Sequence, residues 1–355
     1  MGLQKVKIDN FRCLESVEFA PDARINLITG ENGAGKTSIL EALFFLSRGR
    51  SFRPGQAQGL IRAEAEEFTV FCELADTETR RLGVRFSRAD GRSIHFDGGV
   101  GAQIADSSAA FPVQVIDPEV HHLVQGGPQG RRQFLDWGVF HVKHSFFESW
   151  RRFRRALQQR NTALRQKADE SVVQVWDSEL LQAGQLIDID RREYLEEFEP
   201  FLTRISLALL GTSVLCRYSP GWPAGGGFEN ALANSLTRDR LYGMTHVGPH
   251  RAELVLEVDG TPARHHLSRG QQKLLGTALL LAQSEFVAAR MDRHVTLLVD
   301  ELAAELDAGH LESLIRALEK PGLQLFFTAL REDVLPFAKE PALFHVKHGV
   351  LSTLI

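Results

Sequence analysis

A glycine-rich loop and an acidic strand end, far apart in the chain, constrain its fold most strongly. The loop spans residues 30–37 with the sequence GENGAGKT, whereas Asp300 and Glu301 follow the apolar run Val295–Val299. Glycines let backbone N–H groups turn inward onto phosphate oxygens, so the loop is a candidate phosphate site. If the acidic pair completes that site, the fold must bring the two ends of a 355-residue chain together.

The loop lies between a predicted strand and a predicted helix. Residues 24–29 lead directly into Gly30, and residues 37–46 are apolar at helical spacing. This order makes a phosphate-loop motif credible and disfavours a fortuitous glycine-rich turn. We expect Lys36 to reach the β- and γ-phosphates and take part in catalysis, and Thr37 to ligate Mg²⁺. The nucleotide-contacting residues expected here are Gly30, Glu31, Asn32, Gly33, Ala34, Gly35, Lys36, Thr37 and Ser38.

The acidic pair at the strand end complements that loop. Asp300 is expected to hold Mg²⁺, directly or through water, and Glu301 to polarise the attacking water as the catalytic base. Alone, the pair would more simply be an acidic turn after a core strand. Together with the loop it predicts an ATP and Mg²⁺ site.

A third segment, LSRGQQ at residues 267–272, introduces a predicted helix over residues 271–290. Ser268 is a good N-cap and Gly270 permits close backbone approach, so the helix start offers an anion site. The plain alternative is an ordinary helix cap. Its position one helix before Asp300 favours nucleotide contact by Ser268, Gly270 and Gln271.

The rest of the pattern predicts an α/β protein with a mixed sheet. Residues 5–11 form a predicted strand, residues 68–96 an antiparallel meander, and residues 97–110 a loop. Residues 131–210 have helical periodicity with few glycines or prolines. We therefore predict an ATPase head in two halves, residues 1–127 and 241–355, with a helical arm inserted at residues 128–240.

Composition sets the compartment expected for the chain. The net charge of −4 does not indicate a general nucleic-acid binder, although a local basic face would not affect that total much. Three widely spaced cysteines without a CxxC pattern are typical of a reducing compartment. No secretory signal and no long apolar run is visible, so a cytoplasmic protein without membrane contact is expected.

Together these motifs resemble the ATP-binding-cassette ATPases, and in detail the RecF family of bacterial repair proteins related to SMC heads. Arg131-Arg132 with residues 134–136, and residues 248–251, are the specific matches; the phosphate loop and acidic pair are generic to the class. Other matching segments are residues 10–12, 30–42, 51–53, 128–136, 159–161, 268–272 and 305–307.

The resemblance implies a P-loop cassette head in which nucleotide joins two chains. Ser268 would then complete the partner chain's site, and Asp307 would match the aspartate at the dimer seam. It further implies binding to double-stranded DNA near single-strand gaps, slow ATP hydrolysis as a switch, and a role in the DNA damage and SOS responses. The implied partners are the RecR and RecO mediators and, indirectly, the RecA recombinase.

Two departures bear on that resemblance. Ala252 and Glu253 stand where the family tends to have two aspartates, and Thr328 stands where transport-type cassettes place a switch histidine. The missing histidine disfavours the main alternative, a nucleotide-binding subunit of a membrane transporter. An SMC-like tether would need a longer heptad coiled coil than this arm provides.

The predicted arm concentrates arginines on one helix. Arg151, Arg154, Arg155 and Arg165 would share a face that could contact DNA phosphates without reading sequence, whereas Arg152 and Arg160 point elsewhere. The alternative is a solvated helix whose arginines pair with nearby carboxylates.

Overall fold

The computed structural model describes residues 2–75, 79–301, 308–319 and 322–354. The chain divides into two compact units. The first unit comprises Met1–His121, Ile205–Gly211 and Arg269–Ile355, and the second comprises His122–Arg204 and Thr212–Ser268. The predicted boundaries at residues 127/128 and 240/241 stay predictions.

The first unit holds two six-stranded sheets and most of the buried apolar side chains. Its elements are β1 (Leu3–Phe11), β2 (Leu14–Phe19), β3 (Ile25–Thr29), α1 (Lys36–Arg48), β4 (Glu67–Leu74), β5 (Arg80–Ser87), β6 (Gly91–Phe96), β7 (Gly99–Val100), α2 (Ile104–Ala110) and β8 (Val113–Ile116).

The second unit is mainly helical and carries one small sheet. Its elements are α3 (His122–Gln125), α4 (Pro128–Val142), α5 (Phe146–Arg165), α6 (Glu170–Gln174), most of α7 (Asp177–Leu210), β9 (Val214–Ser219), α8 (Gly227–Tyr242), β10 (Glu253–Val258), β11 (Thr261–Pro262) and α9 (Ala263–His266).

The chain then returns to the first unit, where it completes the sheet that carries the phosphate loop. The remaining elements are α10 (Arg269–Met291), β12 (Val295–Val299), α11 (Ala308–Leu318), β13 (Leu323–Ala329), β14 (Ala342–Lys347) and β15 (Val350–Leu354).

One sheet of the first unit has the order β15-β14-β3-β13-β12-β8. All neighbours are parallel except the β14–β15 pair. Strands β3, β12 and β13 are buried along their whole length, which explains their mostly apolar sequence. Parallel register places the ends of β3 and β12 on the same sheet edge, so residues from both chain ends meet there.

The other sheet, β2-β1-β4-β5-β6-β7, is antiparallel, and one apolar core joins both sheets to helix α1. Phe11, Phe45 and Phe68 pack edge to face at its centre, with ring centroids 4.9–6.4 Å apart. The predicted fold class, an α/β cassette head with an antiparallel β subdomain and a helical arm, is confirmed by the structure and by the similarities reported below.

The predicted loop at residues 97–110 was wrong in part, because β7 and helix α2 lie within it. Gln103 and Asp106 form a capping box at the start of α2. The small residues that suggest a loop instead allow close packing, since the Ser108 hydroxyl donates to the backbone oxygen of Ser47 at 2.7 Å.

Among the described residues, helix α10 alone is long and apolar enough to cross a membrane by length and composition. In the structure, 72% of its most apolar window is buried, as is typical of a core helix.

Candidate nucleotide-binding site

The phosphate loop connects β3 to α1 through three glycines with positive φ. The φ angles are 148° at Gly30, 78° at Gly33 and 118° at Gly35. A Cβ atom at Gly30 would lie 2.3 Å from the backbone oxygen of Val346, and one at Gly35 would lie 2.9 Å from Leu14 Cδ2. A side chain at Gly30 would therefore force the backbone to move, whereas one at Gly35 would displace the Leu14 side chain. Both residues also have positive φ angles, which favour glycine.

Lys36 is buried beneath this loop, with 4% of its surface exposed. Its Nζ donates to the backbone oxygens of Gly30 at 2.9 Å and Glu31 at 3.0 Å. Both acceptors are neutral carbonyls of the loop itself, and the Glu301 carboxylate lies 3.9 Å from Nζ, beyond hydrogen-bond distance. A phosphate would place negative charge within hydrogen-bond reach of the lysine.

Asp300 joins the two ends of the chain at the edge of the sheet. The Thr37 hydroxyl donates to its carboxylate, at 3.0 Å from Oδ1 and 3.1 Å from Oδ2, across 263 positions of sequence. The Thr328 hydroxyl donates to Asp300 Oδ1 at 2.7 Å. A hydroxyl and a carboxylate are the oxygen ligands that Mg²⁺ prefers, so this pair fits the metal that the sequence implies.

Glu301 follows with its backbone in the left-handed region, at φ 49°. Its amide N–H donates to Thr328 Oγ1 at 2.9 Å, and its carboxylate lies 3.9 Å from Lys36 Nζ. The side chain is 44% exposed, so water can reach it. Thr328 thus orients both acidic residues, a role that its position alone in the sequence did not suggest.

Burial perturbs two carboxyl groups at this edge. It raises the pKa of Asp300, against hydrogen bonds from Thr328 and Thr37 that lower that pKa. Burial also raises the pKa of Asp117 to about 6, and the nearby charge of Asp300 adds to the effect. Asp117 follows β8, which pairs with β12 so that Ile116 lies opposite Val299. A site residue missed by the sequence reasoning therefore lies at the end of the neighbouring strand.

The loop and Glu301 line a cleft of about 510 Å³, together with Arg12, Cys13 and Arg53. Glu41, which is fully buried, accepts two hydrogen bonds from the Arg12 guanidinium at 2.8 and 3.1 Å. Arg53 Nη1 lies 3.9 Å from the same carboxylate. Glu41 therefore holds two arginines at the cleft. In the sequence, the only signal for them is that residues 10–12 and 51–53 match the family that the chain resembles.

The other predicted nucleotide residues have different surroundings. Glu31 and Asn32 are exposed on the loop, Ala34 is buried, and Ser38, also buried, lines the cleft. Gly270 and Gln271 begin α10 and do not line the cleft, within the part of the chain described. Ser268 belongs to the second unit, and Asp307 lies outside the described residues.

In the second unit, Arg131 and Arg132 contact the two residues that follow the motif at residues 248–251. The Arg131 guanidinium donates to both carboxylate oxygens of Glu253, at 2.9 and 3.1 Å. Arg132 Nη1 donates to the backbone oxygen of Ala252 at 2.7 Å. Ala252 therefore contributes through its backbone, and Glu253 keeps a carboxylate for Arg131.

A second link joins the same two motifs. Arg191, almost fully buried, donates to Asp136 at 2.9 Å and to the backbone oxygen of Pro249 at 2.9 Å. The pKa of Asp136 is nevertheless raised by burial, which outweighs the opposing effect of Arg191. Arg131 and Arg191 therefore pair with carboxylates of the second unit itself.

The predicted DNA-binding arginines have varied surroundings on α5. Arg151 pairs with exposed Glu148 at 3.0 Å, and Arg154 lies over the Trp150 ring at 4.8 Å. Arg160 is completely buried and bonds to Asp177 and Asp239 at 2.8 Å each. Arg155 and Arg165 are exposed.

Similarity to known proteins identifies the family of this chain. The profile of the RecF/RecN/SMC N terminal domain matches residues 2–352. The DNA replication and repair protein RecF of Hydrogenovibrio crunogenus is 37% identical over 352 residues, covering 97% of each chain. The RecF of Chromohalobacter salexigens is 40% identical over 360 residues, covering 99% of this chain and all of the relative.

The chain belongs to the RecF family of DNA replication and repair proteins.

Solved structures show the same fold. The recombination mediator protein RecF-ATPrS in the RecFOR pathway has a TM-score of 0.89 at 24% identity, covering 99% of this chain and 98% of that one. An Smc head bound to the C-winged helix domain of ScpA has a TM-score of 0.61 at 16% identity, covering 100% and 97%. The RecF family therefore shares its cassette architecture with SMC heads.

Proposed function

We propose that this chain is an ATP-dependent DNA-binding protein of recombinational repair and replication. The observation that carries the proposal is the meeting of Lys36, Thr37 and Glu301 at one cleft, with Asp300 hydrogen-bonded to Thr37. Solved relatives are described as RecF-ATP and RecF-ATPrS, which supports ATP as the nucleotide.

In this proposal the phosphate loop, residues 30–38, binds the nucleotide phosphates. Thr37 and Asp300 would hold Mg²⁺, which supplies a positive charge to the β- and γ-phosphates when bound. Lys36 adds a second cation, and Arg12 and Arg53 line the same cleft. Glu301 is exposed, borders the cleft and positions the attacking water.

ATP hydrolysis would be slow and would act as a switch. Ser268, Gly270, Gln271 and Asp307 would complete the nucleotide site of a second chain, so that ATP holds two chains together. Hydrolysis would dissolve this dimer. Gly270 and Gln271 do not line the cleft among the described residues, which is consistent with their serving a second chain.

The dimer would bind double-stranded DNA near single-strand gaps in the cytoplasm. Arm arginines such as Arg154 and Arg155, both exposed, would contact phosphates without reading sequence. With the RecR and RecO mediators, the chain would help load RecA at the gap. The RecFOR pathway named for a solved relative supports this assignment.

ATP turnover measured with and without gapped duplex DNA tests the proposal. We expect a slow rate that gapped DNA raises, with the stimulation falling steeply as salt increases because counterion release drives phosphate contacts. A rate unaffected by DNA at low salt would contradict it. Glu301→Gln should bind ATP like the wild type while losing turnover.

A further inference from the structure

Exposed apolar side chains collect at one end of the second unit. Helix α8 ends with Leu241, 76% exposed, and Tyr242, 64% exposed, and Met244 follows at 41%. Leu241 is the most exposed large apolar side chain in the described part of the chain. Exposed apolar patches next to polar residues commonly mark interaction sites.

Several contacts bring this end of α8 together with the end of α5. A Cβ atom at Gly243 would lie 3.2 Å from Arg165 Cγ, and Arg240 Nη1 donates to the backbone oxygen of Ala168 at 3.1 Å. Arg251 Nη2 lies 3.8 Å from Met244 Sδ. These residues therefore form one continuous surface.

The same surface carries cations that have no acidic partner. Its basic residues are Arg165, Lys167, Arg238, Arg240 and Arg251, all exposed, and none forms an ion pair with any residue described. By contrast, Arg151, Arg152 and Arg160 each contact a carboxylate. The start of α6 contributes two exposed carboxylates, Asp169 and Glu170, so five cations less two anions leave +3.

Helix ends account for only part of this charge. Cations near the last turns of α5 and α8 interact favourably with the helix dipoles. Lys167 and Arg251 lie outside both helices, however. We call the apolar residues Leu241, Tyr242 and Met244 and the five cations together the arm-end surface.

We propose that the arm-end surface docks a partner protein through an acidic face that carries exposed apolar side chains. Charge complementarity selects the acidic face, and desolvation of Leu241 and Tyr242 supplies affinity. A nucleic acid would use the cations and gain nothing from an exposed leucine, which is why a protein is the favoured occupant. Tyr, Met and Arg are also enriched where proteins meet.

The test uses the purified RecR and RecO mediators as probes, and this choice rests on the proposed function. Two variants of the full chain divide the surface by chemistry: Leu241→Ser with Tyr242→Ser, and Arg238→Glu with Arg240→Glu. Arg151→Glu with Arg155→Glu on α5 is the control, since it changes the charge equally elsewhere on the second unit. Binding to each mediator and to gapped DNA is measured by biolayer interferometry, together with thermal unfolding.

We expect both arm-end variants to bind a mediator about ten-fold or more weakly than the wild type. Both should bind gapped DNA and unfold like the wild type, and the α5 control should keep its mediator affinity.

If only the charge variant loses affinity, and the affinity it loses is for DNA, the surface binds nucleic acid and the proposal is overturned. If both arm-end variants bind the mediators as the wild type does, the assignment of this surface is overturned and the proposed function is not. A wild type that binds neither mediator contradicts the partner assignment and this proposal with it.

Discussion

The buried lysine of the first unit and the buried arginines of the second unit have opposite kinds of partner. In the first unit, Lys36 donates only to neutral loop carbonyls at close range and faces an open cleft. In the second unit, Arg131, Arg160 and Arg191 bond to carboxylates and backbone oxygens of their own unit. A basic residue within a recognisable motif can therefore serve a ligand or serve the fold, and the identity of its acceptors tells which.

Burial explains why the second unit keeps Arg131, Arg160 and Arg191 paired. A charge removed from water costs several kcal/mol unless a partner and further hydrogen bonds replace the water. Arg160 satisfies this requirement with Asp177, Asp239 and the Thr245 hydroxyl, all at 2.8 Å. Such a network fixes the fold and is unavailable to DNA.

The largest effect on this comparison should come from Arg160→Met. Removing the guanidinium leaves Asp239 buried without its cation, which costs about 3–5 kcal/mol of unfolding free energy. Chemical denaturation of the nucleotide-free protein measures the loss. Arg152→Met is the matched control on the same helix, because its partner Glu179 is partly exposed. Equal losses for both variants would contradict the distinction.

Lys36→Met should weaken ATP binding, because it removes the buried cation expected to contact the nucleotide. Charge-assisted hydrogen bonds are worth about 1.5–3 kcal/mol each, so ATP affinity should fall by about 100-fold while the fold persists. Titration with a fluorescent ATP analogue measures the affinity. An affinity near that of the wild type would show that this lysine does not serve the nucleotide.

His250 should make the second unit sensitive to acid. Burial lowers its pKa from 6.5 to about 4. Between these values the unfolded chain binds the proton more readily, so stability present above pH 6.5 is lost as pH falls, by about 2–3 kcal/mol at pH 4.5. His250→Gln should reduce the difference in unfolding free energy between pH 7.5 and 4.5 by that amount. An unchanged difference would contradict the assignment.

Asp117 should give the first unit the opposite pH dependence. Because its pKa is raised from 3.8 to about 6, the unfolded chain releases the proton first as pH rises. The folded state then loses about 2 kcal/mol between pH 4 and pH 6. In nucleotide-free protein, Asp117→Asn should add about 3 kcal/mol at pH 7.5 and less than about 1 kcal/mol at pH 4. An equal gain at both pH values would reject the titration.

Much of the first unit could be predicted because its motifs are contiguous in the sequence. The strand, glycine loop and helix follow one another directly, and the apolar run before Asp300 marks a buried strand. Arg12, Glu41 and Thr328 could not be assigned roles, since their contacts join residues 27–29 positions apart. The number of arginines on α5 suggested a DNA face, but periodicity cannot show that Arg160 is buried with Asp239.

The most direct test of the account is sedimentation velocity with and without ATP and Mg²⁺. If the cleft binds ATP and a second chain completes it, the dimer fraction of the wild type should rise with ATP. Lys36→Met should sediment identically in both conditions. A wild type unaffected by ATP, or a Lys36→Met variant that dimerises with ATP as the wild type does, would contradict the shared-site account.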